Sequence, residues 1–444
     1  MKSRILFLLL VLHVTGVRAQ GGFQLPEHRK KIVLPFTFVQ NLIIIPVVLN
    51  GTPLNFMLDT GVEHTLLFSL EDTDKVQLNQ MEAVKVRGLG NLDAIDAYSS
   101  ENNRLEIGSM TDLAHKIYLI LDERVNISTS VGIPINGIIG YHFFKSYSVR
   151  IDYIRQKIIL SREVNRLMKR REPFVAIPLT FIQNKPYLHA MTALGSKVTP
   201  AFYLLDTGNT DVAWLFPNAE PTFTFQPYPF VDDYLGRGLS GDIYGKRGRI
   251  DSIALGPFSV KRPLVAFPKG DFIQHLLQIK GRNGSLGNEL LKRFHLVWDY
   301  PNQTIYVRPN ANSSAPFLYN MSGLEIVHSG LEWVTETKDL STQSIYAKNV
   351  FSNSGQRIND QIKVLFALRP TYVVELVRVN SPGDLAGLRK GDQLYKINGY
   401  SCTSLSLDQI NGFLKMRDGK TVEIEYIRSG KIVTTTLILK DLLP

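Results

Sequence analysis

The sequence repeats one short pattern at a fixed spacing, and this repeat constrains the fold more than any other feature. An Asp-Thr-Gly tripeptide begins at Asp59 and again at Asp206, each time directly after an apolar run. A glycine, Gly140 in the first copy and Gly287 in the second, lies at the same distance beyond each aspartate. An Asp-Tyr pair follows in the same register in both copies. Three matched anchors indicate two copies of one domain.

The two copies are expected to span residues 32–162 and 173–309. Short runs of Val, Ile, Leu, Phe and Tyr bounded by Gly, Asn and Pro fill both copies, which is typical of strands and turns. Neither copy has the long apolar stripe of an extended helix, so only short helices near 141–144 and 290–293 are expected. The sequence therefore predicts a mainly β fold with two equivalent lobes.

Residues 1–19 have the pattern of a secretory signal peptide. Lys2 and Arg4 precede a short apolar stretch, and small or modest side chains lead to a cleavage point after Ala19. The stretch is too short to anchor a protein in a bilayer, and no later run reaches about 18 apolar residues. An uncleaved anchor or a buried helix is the alternative. We expect an exported protein whose mature chain has no membrane span.

The cysteine count and the charge limit the class of protein further. Cys402 is the only cysteine in 444 residues, which excludes an intrachain disulfide framework and a multi-cysteine metal site. Exported proteins of this size without disulfides are commoner in bacteria than in animal secretions. The formal charge of +10 falls by three with the leader. Part of the remainder lies in a linker at 163–172 that lacks interleaved aromatic residues, so we expect a solvated linker and no nucleic-acid partner.

The paired tripeptides have a clear chemical meaning if the two lobes pack around a pseudo-twofold axis. Asp59 and Asp206 would then face each other and share one proton, because two carboxylates in contact cannot both ionise cheaply. The ionised oxygen can take a proton from water while its partner donates to a substrate carbonyl oxygen. In each loop the glycine permits a tight turn, and the threonine hydroxyl is expected to bond across the pair. The predicted supporting residues are Thr60, Gly61, Thr207, Gly208 and Asn209.

These motifs resemble the active-site signature of aspartic proteases of the retropepsin/pepsin type, in the bacterial form with both lobes in one chain. The resemblance covers about residues 32–309, and strands at 43–49 and 54–58 resemble the hairpin that delivers the first catalytic loop. Pro46 makes the former an edge or bulged strand. The resemblance implies an all-β bilobal fold, a water nucleophile, no metal, no cofactor, and a polypeptide substrate in the cleft of a monomer.

The sequence departs from that family after each Asp-Thr-Gly. The family usually has a small residue and then Ser or Thr, whereas Val62-Glu63 and Asn209-Thr210 stand here. Val62 has no polar group for the outer carboxylate oxygen, whereas the amide of Asn209 does, and Glu63 adds a third acid. A non-catalytic peptide-binding protein on the same scaffold is therefore the alternative to an endopeptidase.

Two glycine-containing hairpins at matching places in the lobes are expected to cover the cleft as flaps. Ordinary surface hairpins are the alternative. Tyr98, Tyr234 and Tyr244 are the aromatic residues expected near them. The predicted flap residues are Gly88, Leu89, Gly90, Gly238, Leu239 and Ser240.

The last segment, 318–444, follows a second linker at 310–317 and has its own signature. Ser-Pro, Ala-Gly-Leu, Gly-Asp and Ile-Asn-Gly occur in this order between 381 and 399. The series resembles a PDZ domain, a fold that binds extended peptides by strand addition and often holds their terminal carboxylate with backbone N–H groups. A small barrel that packs on the protease and binds nothing is the alternative.

The residue pattern agrees with this resemblance, since it predicts strands at 372–379, 393–397, 421–427 and 432–439 and a helix at 407–416. By resemblance the domain would bind a peptide in a groove lined by Leu407 and Ile410. The stretch 329–362 would be an insertion. The implied carboxylate loop consists of Ser322, Gly323, Leu324 and Glu325.

Overall fold

The computed structural model describes residues 22–70, 75–86, 95–122, 125–168, 173–195, 197–216, 229–238, 241–269, 279–339 and 362–443. Strands dominate these residues and form four sheets within them. The predicted leader lies outside the described residues. None of the helices in these ranges has the length and apolar character needed to cross a bilayer.

The first lobe is built from short strands and two single-turn helices. The helix predicted near 141–144 is confirmed at Tyr141–Phe144. The strands are β1 Lys31–Pro35, β2 Thr37–Val39, β3 Leu42–Leu49, β4 Thr52–Leu58, β5 Thr65–Leu67, β6 Met81–Val86, β7 Ile95–Ile107, β8 Met110–Ile120, β9 Gly137–Ile139, β10 Ser148–Asp152 and β11 Lys157–Ser161, and the helices are α1 Ser128–Val131 and α2 Tyr141–Phe144.

The second lobe repeats this order after a 3₁₀ turn at Val164–Arg166. Its helix begins at Asn288 and ends at Leu291, two residues before the predicted position, because the backbone is already helical directly after the extended Gly287. The elements are β12 Val175–Pro178, β13 Thr180–Ile182, β14 Lys185–Leu194, β15 Lys197–Leu205, β16 Ala213–Leu215, β17 Phe230–Gly238, β18 Gly241–Arg249, β19 Ser252–Leu255, β20 Phe258–Lys261, β21 Leu264–Pro268, β22 Arg282–Leu286, α3 Asn288–Leu291, β23 Phe294–Asp299, a 3₁₀ turn Tyr300–Asn302 and β24 Thr304–Pro309.

The C-terminal module forms its own sheet in the order β25-β26-β27-β29-β30, with β28 beside β27. The predicted strand at 372–379 is the end of a longer one, because β26 begins at Ile362 and pairs along the whole of β25. The segment 340–361 between them lies outside the described residues. The elements are β25 Leu324–Asp339, β26 Ile362–Val377, α4 Pro382–Leu385, β27 Gln393–Ile397, β28 Tyr400–Ser401, a 3₁₀ turn Cys402–Ser404, α5 Leu407–Leu414, β29 Thr421–Arg428 and β30 Lys431–Ile438.

Helix α5 illustrates how local sequence sets an element. The Ser406 hydroxyl accepts from the backbone N–H of Gln409, whose side chain accepts from the backbone N–H of Ser406. This reciprocal cap satisfies two N–H groups that a helix start would otherwise leave unpaired. The helix ends at Leu414, two residues before the predicted end, because Lys415 leaves the helical region.

The two lobes are joined by a six-stranded sheet to which both contribute, in the order β1-β11-β10-β23-β24-β12. At its centre Val149 pairs with Trp298, and Ile151 pairs with Leu296. The sequence repeat matches Val149 to Leu296 and Ile151 to Trp298. Exchanging the lobes therefore leaves the pairing unchanged, which is the register that a pseudo-twofold axis between β10 and β23 requires.

Each lobe also has a sheet of its own in which the strand leading to Asp-Thr-Gly is paired in parallel with the strand leading to the matched glycine. These pairs are β4 with β9 and β15 with β22. Carboxyl ends of adjacent parallel strands lie at one edge of a sheet. The Asp-Thr-Gly loop and the loop of the matched glycine are therefore brought together in each lobe.

Pro46 lies inside β3 without breaking it. The strand pairs with β4 from Ile44 to Leu49, and Pro46 lies opposite Asn55 with no register shift. On its other side β3 pairs with β2 up to Ile44 and with β7 from Val48. The expected edge or bulged strand is therefore wrong, because β3 has paired strands on both sides and no bulge. Pro46 is tolerated because it falls between the two short pairings, where no described strand is paired with it on that side.

The cores of the lobes and of the C-terminal module are continuous. One buried apolar cluster runs through all three and includes Trp298 in the central sheet and Leu324 and Ile410 in the module. A second cluster, around Met57 and Ile138, lies in the first lobe alone. Polar contacts add to this packing, since the Arg249 guanidinium donates to the carbonyl oxygens of Leu443 and Phe317.

Candidate active site

Asp59 and Asp206 occupy equivalent positions at the ends of β4 and β15. The backbone N–H of Asp59 donates to the Ile139 carbonyl (2.9 Å), and that of Asp206 donates to the Leu286 carbonyl (2.9 Å). Within each loop the glycine N–H reaches back to the carboxylate, from Gly61 to Asp59 Oδ1 at 2.7 Å and from Gly208 to Asp206 Oδ1 at 3.1 Å. The predicted tight turns are therefore formed in both lobes.

The two loops are tied to each other by their threonines. The backbone N–H of Thr60 donates to Thr207 Oγ1, and that of Thr207 donates to Thr60 Oγ1, both at 3.0 Å. Each hydroxyl then donates to a carbonyl of the opposite lobe, Thr60 to Leu205 at 2.7 Å and Thr207 to Leu58 at 2.8 Å. These four bonds are buried, so they fix the loops relative to each other.

The geometry of the glycines shows how close the carboxylates come. A methyl group on Gly61 would lie 2.9 Å from Asp206 Oδ1 and 3.0 Å from Asp59 Oδ1. A methyl group on Gly208 would overlap the Asp59 carboxylate. Each carboxylate therefore lies against the glycine of the other loop, and the two acids form one pair that only glycine can flank.

Burial and mutual repulsion control the protonation of this pair. Burial raises the pKa of Asp59, and the neighbouring charge of Asp206 raises it further. Burial also raises the pKa of Asp206, but the Arg282 cation opposes that rise. The two groups titrate as a pair, and the cation on the side of Asp206 favours negative charge there.

The matched glycines, Gly140 and Gly287, pack directly against the backbone of the Asp-Thr-Gly loops. A methyl group on Gly140 would overlap the carbonyl oxygens of Asp59 and Val62, and one on Gly287 would overlap those of Asn209 and Asp211. The matched glycine of the repeat is thus required by close packing of two backbone segments.

The residues after each tripeptide do not contact the pair as the family pattern would suggest. The Asn209 carboxamide oxygen accepts from the backbone N–H of Asp211 at 2.9 Å. Its Nδ2 is buried with no hydrogen-bond partner in the described part of the chain. Glu63 Oε1 accepts from the side chain of Asn184 at 2.9 Å. Neither side chain is hydrogen-bonded to the Asp59 or Asp206 carboxylate in the described residues.

Residues 36–41, Phe-Thr-Phe-Val-Gln-Asn, and residues 179–184, Leu-Thr-Phe-Ile-Gln-Asn, are a further matched pair of the two copies. Their final asparagines have a role that the sequence alone did not reveal. Asn184 of the second lobe bonds Glu63 of the first, and Asn41 of the first lobe donates to the Thr210 carbonyl and to Glu289 of the second, all at 2.9 Å. Both asparagines have positive φ, 61° for Asn41 and 59° for Asn184. The repeated Gln-Asn was visible in the sequence, but the hydrogen-bond partners of each asparagine lie in the opposite lobe and could not be read from it.

The paired acids lie in a cavity of about 1420 Å³ between the lobes. The hairpin β17–β18 contributes Tyr234 and Arg237 to its wall, whereas Tyr98 and Tyr244 are largely exposed. Gly238 ends β17 and also lines the cavity. The other predicted flap residues, Gly88, Leu89, Gly90, Leu239 and Ser240, lie outside the described residues.

The cavity also reaches the C-terminal module, whose β25 and α5 lie side by side. Leu324, Glu325 and Lys415 line it together with the two Asp-Thr-Gly loops. Leu407 and Ile410 are buried beneath α5. Lobe 1 packs at one end of α5, since a methyl group on Gly132 would lie 2.9 Å from Leu407 Cβ.

The predicted carboxylate loop is internally bonded. The backbone N–H of Ser322 donates to Asn320 Oδ1 at 3.1 Å, and that of Leu324 donates to Ser322 Oγ at 3.1 Å. A methyl group on Gly323, where φ is 73°, would overlap Ser381. A terminal carboxylate would therefore have to displace two side-chain acceptors from these N–H groups.

A hydrogen-bonded chain of Thr, His and Asp side chains in lobe 1 resembles the triad of a hydrolase, but it is buried away from the cavity. Thr65 Oγ1 contacts His115 Nε2 at 2.8 Å, and His115 Nδ1 contacts Asp112 Oδ2 at 2.8 Å. All three residues are buried, at 2% exposure or less, and none lines the cavity. This network satisfies buried polar atoms and has no access to a substrate. The described residues contain no His, Cys, Asp and Glu group suited to a metal ion.

Comparisons with known proteins agree with both resemblances. Residues 45–143 match the family described as aspartyl protease, and residues 373–428 match the PDZ domain family. The chain thus combines an aspartic-protease region with a C-terminal PDZ domain, on a β-rich bilobal fold.

Individual proteins give shorter or more distant likenesses. Over 68 residues the chain is 40% identical to syntenin-1 of Mus musculus and of Homo sapiens, which is 15% of this chain and 22% of either relative. The chain therefore spans about a fifth of the length of these curated relatives. The crystal structure of an aspartic proteinase from Irpex lacteus is 13% identical, covers 64% of this chain and 99% of its own, and has a TM-score of 0.43.

Proposed function

We propose that this protein is an exported aspartic endopeptidase that hydrolyses peptide bonds with a water activated between Asp59 and Asp206. The observation that carries the proposal is the reciprocal bonding of Thr60 and Thr207, which holds two buried carboxylates against each other. Such rigid placement is what acid–base catalysis by a shared proton needs. Export rests on the sequence pattern of residues 1–19 alone.

The proton of the pair is assigned to Asp59, because Arg282 favours the ionised form of Asp206. Asp206 accepts a proton from the water while Asp59 donates its proton to the substrate carbonyl oxygen. Bond formation between the water oxygen and the carbonyl carbon gives a tetrahedral diol. Asp206 then returns its proton to the amide nitrogen while Asp59 takes a proton from a hydroxyl of the diol. The carbon–nitrogen bond breaks, and the amine and carboxyl products leave.

The substrate is a polypeptide that the PDZ domain recruits. The cavity that holds the acids is continuous with the edge of the module at Leu324 and Glu325. A chain bound to β25 by strand addition would enter the cavity close to the catalytic loops. Its binding would have to displace the internal acceptors of the carboxylate loop.

Cleavage of a peptide library across pH by the wild-type protein and by Asp59→Asn and Asp206→Asn tests the proposal. Loss of activity in each single variant, and inhibition of the wild type by a statine-type inhibitor, is the expected result. Full activity in either variant would exclude the pair as the catalytic group. A non-catalytic binding protein, the alternative, would cleave nothing with both acids intact and bind peptides equally well with both replaced.

A further inference from the structure

The two halves of the cleft differ in chemistry although they are equivalent in fold. Leu42 and Lys185 each follow an asparagine of positive φ and each begin the strand that pairs with a catalytic strand. The pairings of Ile44 with Met57 and of Tyr187 with Leu204 confirm that the two positions correspond. The axis between the lobes therefore relates a leucine to a lysine.

A second pair of equivalent positions shows the same difference. Ile135 and Arg282 stand equally far before Gly140 and Gly287. Ile135 is buried in the apolar cluster of lobe 1, whereas Arg282 lines the cavity. The lobe 1 wall carries polar side chains at Gln40, Asn41, Glu63, His64, Lys85 and Ser130 besides Asp59, and the rest of it is apolar. The members of the lobe 1 cluster that line the cavity are Leu42, Met57, Val62, Leu66, Tyr118, Ile120, Val125, Ile127, Val131 and Ile138.

Lys185 and Arg282 keep donors free for a ligand. The Lys185 ammonium makes no hydrogen bond or ion pair within the described ranges, although it lines the cavity. Arg282 donates through Nε to the Gly284 carbonyl at 3.3 Å and through Nη2 to Ser285 Oγ at 2.8 Å. Its Nη1 has no partner among these residues. The Tyr187 hydroxyl beside it is buried and likewise unpartnered in the part of the chain that the structure describes.

The two cations also repel each other. Burial lowers the pKa of Lys185, and the charge of Arg282 lowers it further, ahead of the opposing effects of Asp59, Asp206 and Glu63. Glu63 is itself engaged by Asn184. A carboxylate placed between Lys185 and Arg282 would relieve this repulsion and satisfy the free donors.

We propose that the lobe 2 half of the cleft is a subsite for an acidic side chain of the substrate, held by Lys185 and Arg282, and that the lobe 1 half takes a large apolar side chain. This inference rests on the proposed function and specifies its substrate class. Positions related by the axis lie on opposite sides of the scissile bond, because that bond lies over the pair of acids. The enzyme should therefore cleave between an apolar and an acidic residue.

Matched peptides that place Leu on one side of the scissile bond and Glu, Gln or Lys on the other, in both orders, test the subsite. We expect the Glu peptide to have a kcat/KM about tenfold or more above that of the Gln peptide in one order. In Lys185→Met this Glu-to-Gln ratio should fall towards one. Lys261→Met, which removes an exposed lysine at the end of β20, is the control and should keep the wild-type ratio.

Further outcomes distinguish a role of Lys185 in substrate binding from an effect of Lys185 on the protonation of Asp59 and Asp206. If Lys185→Met slows cleavage of the Glu and Gln peptides equally and shifts the pH profile, Lys185 tunes the acid pair and the subsite is excluded. If the wild-type protein cleaves no peptide, calorimetry on the same peptides still applies. If the Glu peptide binds more tightly than the Gln peptide and Lys185→Met removes this difference, the subsite is supported although the proposed function fails. Equal binding of the two peptides would overturn the subsite.

Discussion

Thr60 and Thr207 exchange hydrogen bonds across the boundary between the lobes, each accepting the backbone N–H of the other at 3.0 Å. Residues from two lobes thereby form one rigid unit beneath the carboxylates of Asp59 and Asp206. The repeat explains this exchange, because Thr60 and Thr207 are equivalent residues on either side of the pseudo-twofold axis. A hydrogen bond from one to the other is therefore matched by an identical bond in the opposite direction.

Removal of one hydroxyl should weaken both the fold and the catalysis. In Thr207→Ala the buried Thr60 N–H and Leu58 carbonyl lose their partner, which costs about 1–3 kcal/mol for an unsatisfied buried group. We expect a lower melting temperature and a lower kcat, measured by calorimetry and peptide cleavage. Thr207→Ser keeps the hydroxyl and should retain most of both. Equal loss in the serine and alanine variants would show that the hydroxyl bonds are not the cause.

A methyl group on Gly208 should displace the Asp59 carboxylate. Its Cβ would overlap the carboxylate atoms, and displacement of a reacting group by about 1 Å can cost on the order of 100-fold in rate. We expect Gly208→Ala to fold but to lose kcat. Gly412→Ala is the matched control, since nothing lies within 4 Å of a methyl group there. Wild-type kcat in Gly208→Ala would contradict the observed closeness of the loops.

The bond between Asn184 and Glu63 should couple the two lobes energetically. A double-mutant cycle with Asn184→Ala and Glu63→Ala is expected to give a coupling of about 0.5–1.5 kcal/mol in the free energy of unfolding. Denaturant titration of the four proteins measures it. Additive single effects would mean that this bond adds nothing to the docking of the lobes.

Glu325 should make stability fall as the pH rises. Burial raises the pKa of Glu325 to about 7, with a further contribution from the Asp233 carboxylate. Because the folded pKa lies above the unfolded value of 4.5, folding takes up a proton between these pH values. Stability is full below about 4.5 and declines until about 7. Glu325→Gln should therefore be about 1–2 kcal/mol more stable than the wild type at pH 8 and equal to it at pH 4.

Denaturant unfolding at the two pH values measures this difference. Glu423→Gln, at an exposed position of β29, should show no such dependence. A stability gain for Glu325→Gln that is the same at both pH values would contradict the titration account.

The thiol of Cys402 should be unreactive in the folded protein. Cys402 is 1% exposed, and burial raises its pKa to about 12, so little thiolate forms at pH 8. A thiol-specific chromogenic reagent should label the native protein slowly and the urea-unfolded protein at once. Thr434→Cys places a thiol at an exposed position of β30 and should add one fast equivalent. Fast labelling of the native wild type would show that the C-terminal module opens readily.

The sequence by itself determined the features that depend on local pattern and repetition. The matched Asp-Thr-Gly and glycine anchors predicted two β-rich lobes and a facing pair of acids, because equivalent residues must take equivalent places around an axis. The start of α5 at Leu407 and the strand Gln393–Ile397 likewise lie where the residue pattern predicted them.

Only the tertiary structure decided how distant segments meet. The partners of Asn41 and Asn184 lie in the opposite lobe, and Glu325 lies near Asp233 of β17, although the sequence keeps each pair far apart. The contrast between Leu42 and Lys185 gained meaning when both were seen to line one cavity. Hydrogen bonds and charges act over a few ångströms in space, so their effects follow from the packing of the lobes and not from the order of residues alone.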